Sequence, residues 1–144
     1  MNKREIKAEL KGIIKVIQSM DLSREERLCD EFSVRIDDLV SFADDNGIGV
    51  DIDNLEDIKR EGINQFLIES PVVTDLIDDL INLRDRFEDE LDEYTYSRQE
   101  KLEEEVLNPL DDCINDFEGN LDDIDSIECL NDMLETMING LKEI

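Results

Sequence analysis

The sequence predicts an all-α protein of six helices, arranged as two tandem three-helix pseudo-repeats in a compact or elongated helical bundle. Apolar residues recur every three or four positions, and the period-two alternation of half-buried strands is nowhere sustained. The second half of the chain also repeats the pattern of the first. Although the 144 residues carry a net charge of −26, 40% of them are hydrophobic, so we expect an acidic chain that still builds a core.

An internal repeat organises the chain. The segment Ser23–Leu28 (SREERL) recurs 74 residues later as Ser97–Leu102 (SRQEKL), and Asp51–Glu56 (DIDNLE) recurs 72 residues later as Asp123–Glu128 (DIDSIE). Ordered matches lie between them, although the acidic bias inflates those at Asp and Glu. We interpret the pattern as a duplication, with a first repeat at residues 1–70 and a second, more acidic repeat at 71–144, packed as one unit.

Each helix of the first repeat has a start signal or an apolar stripe. The stripe of the first helix is Ile6, Leu10, Ile13, Ile17 and Met20. Ser23 with Glu26 has capping-box spacing and predicts a second helix, whose stripe is Leu28, Phe32, Ile36, Leu39 and Ala43. After a break at Asn46-Gly47-Ile48-Gly49, Asp53 with Glu56 predicts a third helix, whose stripe is Leu55, Ile58, Ile63 and Phe66.

The second repeat follows the same plan. Ser70 before Pro71 is the pattern of an N-cap followed by a proline at the first helical position. The stripe that follows is Val73, Leu76, Leu80, Phe87, Leu91 and Tyr94. Ser97 and Asp125 head the next two helices.

Two positions leave helix boundaries open. Pro109 falls inside a continuous stripe formed by Leu102, Val106, Leu110, Cys113 and Phe117. It predicts a kink, and a separate helix with Asn108 as its N-cap is the alternative. Tyr94-Thr95-Tyr96 contains neither Gly nor Pro, so the helices on its two sides could also run together.

The residue types argue against catalysis and against a cofactor. With no His, the chain has no imidazole metal ligand, no His base and no Ser-His or Cys-His pair. It contains no phosphate-binding Gly loop and no Trp that could form a sugar platform. The three cysteines show no CxxC spacing, so we interpret them as free thiols in a reducing cytoplasm. We expect a non-enzyme without cofactors.

The same search predicts neither a metal site nor a membrane segment. If Gly49 is taken as the glycine of a calcium loop, Asp44 and Asn46 fall at ligand positions, but Ile48 and Leu55 occupy two others. Helix capping and turn formation explain these acids equally well, and weak calcium binding by the Asp-rich loops stays open. No apolar run approaches the roughly 18 residues of a membrane span, and no signal peptide is evident, so we expect a cytoplasmic protein.

Charge is the remaining functional signal. Residues 1–72 hold 17 acidic and 10 basic residues, net −7, whereas residues 73–144 hold 24 and 5, net −19. B-DNA as long as a 22-residue helix, roughly 33 Å, carries about 19 phosphate charges. The candidate partner-binding residues are therefore carboxylates of the second half: Asp78, Asp79, Asp85, Asp89, Asp92, Glu93, Glu103, Glu104, Asp111, Asp112, Asp122 and Asp123.

These observations favour a non-catalytic inhibitor that presents a DNA-like acidic surface to a basic nucleic-acid-binding protein or nuclease, as anti-restriction and anti-CRISPR proteins do. One alternative is an immunity or antitoxin protein that plugs a basic toxin through Tyr94 and Tyr96. Another is a structural or adaptor bundle that is acidic only for solubility. The lysine stripe Lys3, Lys7, Lys11 and Lys15 is expected to be a solvated face or to pair with a neighbouring acidic helix. We expect no direct nucleic-acid binding, because the whole molecule repels phosphates. A homodimer is left open.

Overall fold

The structure, a computed structural model that describes all 144 residues, contains helices and no strands. The helices are α1 (Lys3–Gln18), α2 (Ser23–Asp45), α3 (Ile52–Ile68), α4 (Pro71–Leu91), α5 and α6 (Ile127–Lys142). Helix α5 consists of α-helical segments Tyr96–Leu102 and Asn108–Gly119 on either side of a π-helical segment, Glu103–Leu107. A 3-10 turn, Leu121–Asp123, leads into α6. The predicted all-α class with six helices is confirmed.

Four of the helices form a closed ring around the core. Helix α1 packs against α4 and α6, and α5 packs against the same two helices from the other side. The predicted stripe of α4 is buried as far as Leu91, and Leu83 joins it. In α1 the core position is Ile14, whereas Ile13 is half-buried. This four-helix arrangement holds most of the buried apolar side chains. None of the six helices combines the length and the apolar run that crossing a membrane would require.

Helices α2 and α3 form a hairpin that joins the ring only at its base. Cys29 of α2 and Ile63 and Leu67 of α3 belong to the core, but no side chain between residues 33 and 62 does. Two predicted core positions in this stretch are wrong, because Leu39 is 50% exposed and Ile58 is 43% exposed. Their stripes have the helical period, but no neighbouring helix covers the outer part of the hairpin.

The π-helical segment of α5 accommodates Pro109. A proline has no N–H, and its ring crowds the carbonyl four residues earlier, here that of Glu105. In the preceding turn the Asn108 N–H donates to the Glu103 carbonyl, five residues back, which is the wider π-helical spacing. Asn108 has helical dihedral angles (φ −64°, ψ −46°), so the alternative of a new helix capped by Asn108 is wrong.

The predicted capping boxes differ from the observed caps. At the start of α2 the Ser23 N–H and hydroxyl both donate to Asp21 Oδ1, at 3.0 and 2.5 Å, so Ser23 does not cap that helix. These two hydrogen bonds lower the pKa of Asp21. Helix α3 is capped by Asp51, which accepts from the Asn54 N–H, rather than by Asp53. Each predicted helix exists, but its cap lies one or two residues away.

Among the remaining helix starts, that of α4 agrees with expectation, whereas α5 begins at Tyr96, ahead of the expected Ser97. Ser70 is the N-cap residue of α4 and Pro71 opens the helix, as predicted. Ser126, rather than Asp125, caps α6 by accepting from the Cys129 N–H. Thr95 has extended dihedral angles (φ −62°, ψ 154°) and separates α4 from α5, so these helices do not run together.

Candidate functional site

The twelve candidate carboxylates lie on helices α4 and α5 and on the turn that follows each of them. Those on α4 are Asp78, Asp79, Asp85 and Asp89, and the turn after α4 holds Asp92 and Glu93. Helix α5 carries Glu103, Glu104, Asp111 and Asp112, and the 3-10 turn carries Asp122 and Asp123. All are exposed except Asp111, which is half-buried.

Most of these carboxylates have no cation beside them. The second half holds only five Lys and Arg side chains for 24 acidic ones. Of the twelve candidates, only Asp85 and Asp111 take part in an ion pair. The other ten form no ion pair, and only Asp122 and Asp123 share a groove with a cation, Arg60.

Arg84 brings two of the candidates together across the α4–α5 contact. Its Nε lies 3.2 Å from Asp85 Oδ1, and its Nη1 lies 3.2 Å from Asp111 Oδ1. Partial burial alone would lower the pKa of Arg84, but the two carboxylates outweigh it and raise that pKa above its ordinary value. The guanidinium therefore fixes α4 against α5 and reduces the local negative charge at this one point.

Two further ion pairs connect the basic helix α1 to the acidic half. Lys3 Nζ lies 3.1 Å from Glu105 Oε2 on α5, and this contact lowers the pKa of Glu105. Arg86 on α4 pairs with Glu9 through both carboxylate oxygens. Lys7, Lys11 and Lys15 have no ion-pair partner, so the lysine stripe is mostly a solvated face.

The last two candidates lie apart, beside the hairpin. A groove of about 520 Å³ contains Asp122 and Asp123 together with Arg60 and Gln65 of α3. Asn64 holds this connection in place, because its Nδ2 donates to the carbonyls of Leu121 and Ile124, at 2.7 and 2.8 Å. Asp122 and Asp123 therefore border α3, whereas Asp85 and Asp111 border the α4–α5 contact.

The two tyrosines proposed for a toxin plug have different surroundings. Tyr94 is half-buried, its hydroxyl donates to the Met1 carbonyl at 2.5 Å, and Arg98 lies over its ring. Tyr96 is 80% exposed. Of the two tyrosines, only Tyr96 presents a free ring.

A second groove, of about 530 Å³, lies between α5 and α6 and contains two cysteines. Cys113, Cys129, Phe117, Met133 and Met137 line it. Burial, reinforced by neighbouring carboxylates, raises the pKa of the Cys113 thiol. No three Asp, Glu or Cys side chains anywhere in the chain are arranged so that they could hold a metal ion.

Sequence reasoning missed an exposed apolar surface at the end of the hairpin. Six of the nine exposed large apolar side chains of the protein lie there: Leu39, Phe42, Ile48, Val50, Ile52 and Ile58. Phe42, Ile48, Val50 and Ile52 belong to no predicted stripe. Apolar residues left unassigned on both sides of one loop were the signal that could have identified this surface.

Comparison of the chain with protein-family models, with curated proteins and with solved structures finds no match.

Proposed function

We propose that the protein is a non-catalytic inhibitor that presents a DNA-like acidic surface to a basic nucleic-acid-binding protein, such as a restriction or CRISPR enzyme. The observation that supports this proposal most directly is the set of ten exposed carboxylates without an ion-pair partner on α4, α5 and the turns beside them. Like-charge repulsion at this density destabilises a fold, and solubility requires far less charge.

The inhibitor acts by competition. Lys and Arg side chains that bind phosphates in the partner's groove pair with carboxylates instead, and the released counterions favour the complex as they do for DNA. Helices hold the carboxylates in place before binding, which keeps the ordering cost low. Helix α4, with 21 residues, is about 32 Å long, comparable to one turn of duplex DNA.

A tandem duplication would explain how such a surface arose. The supporting observations are the repeated sequence segments and the same order of three helices in each half. In this proposal the first copy kept its basic residues and formed the hairpin, whereas the second copy accumulated acids. Superposition of residues 1–70 on 71–144, with Leu28 over Leu102 and Asp37 over Asp111, tests the common origin.

The test of the function is a binding titration with a partner identified from the neighbouring genes or from host lysate. Affinity is measured with and without duplex DNA, at about 50 mM and about 200 mM salt. We expect DNA and the inhibitor to exclude each other and the affinity to fall steeply with salt. Charge reversal at Asp78, Asp89 and Asp112 should weaken binding in steps, with no dominant residue.

The exposure of Tyr96 favours a second candidate, an immunity or antitoxin protein that plugs a basic nuclease toxin. Such an interface has one or two dominant side chains. Tyr96→Ala would then cost about 2 kcal/mol or more of binding free energy. If the partner binds DNA and this protein at the same time, the two do not compete, and inhibition through a DNA-like surface is excluded.

A further inference from the structure

The outer part of the α2–α3 hairpin carries more exposed apolar surface than any other part of the protein. We call residues 36–58 the hairpin tip. Phe42 is 60% exposed, Ile52 54% and Ile48 52%. Between residue 59 and the end of the chain, by contrast, Tyr96 alone among the large apolar side chains is comparably exposed. Six of the nine exposed large apolar side chains lie within these residues, and exposed apolar surface concentrated in one region marks interaction surfaces in soluble proteins.

The exposed side chains of the tip contribute nothing to the core. No residue of the tip belongs to the core, and only Ala43 of the tip is buried. Where the hairpin leaves the ring, it is held at its base by the ring of Phe32 against Gly62 and by Arg24 over the ring of Phe66. The tip therefore extends beyond the bundle on a fixed base, with its apolar side chains facing solvent.

The charge of the tip indicates what it contacts. Residues 36–58 contain eight acidic residues and no Lys or Arg. Asp37 and Asp57 pair with Lys59 and Arg60 at the edge of the tip, which leaves six acids without an ion pair. A second copy of the chain is repelled overall, because each molecule carries a net charge of −26. A partner with Lys and Arg around an apolar centre has the complementary charge, and such a surface attracts the acids of the tip before contact.

We propose that the hairpin tip is a docking element that inserts its apolar side chains into an apolar groove edged by Lys and Arg on the inhibited protein. The inference rests on the proposed function for the identity of that protein. Grooves that bind single-stranded nucleic acid have this composition, since basic side chains follow the backbone and apolar or aromatic ones stack on the bases. At the tip, the acids take the place of phosphates and Phe42 that of a base.

The two surfaces then have different roles. The carboxylates of α4 and α5 increase the association rate and are screened by salt, because they interact through charge. The tip slows dissociation, and its apolar contacts resist salt, because burial of apolar side chains is not screened as ion pairs are. The complex should retain a salt-resistant fraction of its affinity that disappears when the tip is made polar.

The test uses the full chain, labelled with 15N, and two synthetic helical peptides of equal charge. One peptide carries Leu on one face and Lys on the other, and the second carries Ser in place of Leu. We expect the Leu/Lys peptide to shift the amide signals of residues 36–58 and to remain bound at about 500 mM salt. The Ser/Lys peptide should shift the amides of α4 and α5 instead and dissociate at that salt concentration.

Two pairs of substitutions test whether the Leu/Lys peptide binds at the hairpin tip. Phe42→Ser with Ile58→Ser should weaken binding of the Leu/Lys peptide at least tenfold, about 1.4 kcal/mol. Val16→Ser with Val34→Ser removes two side chains of similar exposure outside the tip and should change nothing. The proposal is wrong if the two pairs of substitutions have equal effects or if both peptides shift the same amide signals. It is also wrong if the Leu/Lys peptide does not bind, or if the chain self-associates through the tip. None of these outcomes affects competition with duplex DNA, which tests the proposed function separately.

Discussion

At the scale of single residues, the least expected feature is a buried carboxylate in an acidic protein. Glu25, in the first turn of α2, is 3% exposed and accepts a hydrogen bond from the Ser70 hydroxyl at 3.1 Å. Arg24 Nη1 lies 3.4 Å from the same oxygen, Oε1. Ser70 is also the N-cap residue of α4, so this contact links the base of the hairpin to the four-helix ring. Its partners are 45 residues apart, and no local sequence pattern connects them.

We expect Ser70→Ala to destabilise the fold by about 1–3 kcal/mol, because Glu25 then loses a donor while remaining buried. Urea unfolding followed by circular dichroism measures the change. Ser41→Ala is the matched control, since Ser41 is exposed on α2, and its effect should stay within about 0.5 kcal/mol. Equal effects of the two substitutions would mean that the Glu25 contact contributes nothing.

Two of the thiols are expected to be unreactive. Burial, with help from Asp30 and Glu25, raises the pKa of Cys29 above its ordinary value of 9.0, and burial beside Asp116 and Asp112 does the same for Cys113. A raised pKa leaves less thiolate, so both should react with iodoacetamide at pH 8 several-fold more slowly than in the urea-unfolded chain. Mass spectrometry of the alkylated peptides measures this.

The raised pKa values of Cys29 and Cys113 also determine how the stability of the fold changes with pH. Both thiols bind protons more tightly in the folded protein, so their contribution is complete below pH 9 and is lost as the pH rises above that value. Cys29→Ala with Cys113→Ala should flatten the fall in stability between pH 8 and 10. If the free energy of unfolding falls equally steeply with pH in the double variant, the two thiols do not cause the fall.

At the scale of helices, the periodicity of the sequence predicted which elements exist and not which of them meet. The stripe of α4 is buried as far as Leu91 because α1 and α5 cover it on two sides. The stripes of α2 and α3 have the same period, but Leu39 and Ile58 are exposed because no third helix reaches them. Whether a stripe is covered depends on tertiary packing, which a single sequence does not encode locally.

The base of the hairpin depends on a glycine inside α3. A Cβ at Gly62 would lie 2.7 Å from the Phe32 ring, whereas a Cβ at Gly12 in α1 would meet nothing within 4 Å. We expect Gly62→Ala to destabilise by about 1–3 kcal/mol, because the ring must move away from its packed position. Gly12→Ala should stabilise by about 0.5–1 kcal/mol through helix propensity alone.

The informative quantity is the difference in unfolding free energy between the two variants. Both substitutions add one methyl group within a helix, at an exposed position for Gly12 and a half-buried one for Gly62, so they differ mainly in what that methyl group contacts. Chemical denaturation of the two variants side by side provides it. If Gly62→Ala stabilises the protein as much as Gly12→Ala, the ring of Phe32 does not hold the hairpin.

At the scale of the whole molecule, charge could be predicted from the sequence, but its arrangement could not. The candidates were chosen by composition, and their exposure follows from facing away from the apolar stripes. Helix packing places Arg84 between Asp85 and Asp111. It also places Asp122 and Asp123 beside α3, away from the other candidates. At the tip, Leu39 and Ile58 look like core because they continue helical stripes, and the four other exposed apolar side chains belong to no stripe that would have drawn attention to them.

A net charge of −26 on 9122 Å² of surface should make stability depend on salt. Raising sodium chloride to about 0.1 M shortens the Debye length to about 10 Å and screens repulsion between carboxylates on neighbouring helices. We expect Tm to rise by several degrees between low and moderate salt, measured by differential scanning calorimetry. A flat or falling Tm would show that the carboxylates are too far apart to repel one another.

The independence of the hairpin tip from the core has a consequence for evolution. In most small proteins an apolar side chain is constrained by folding, so a change that improves recognition also endangers the native state. Here the large apolar side chains of residues 36–58 touch no part of the core. They are free to diverge as quickly as a partner changes, while the buried side chains of the four-helix ring remain under selection for folding. In a family of such proteins, sequence variation would concentrate at the tip.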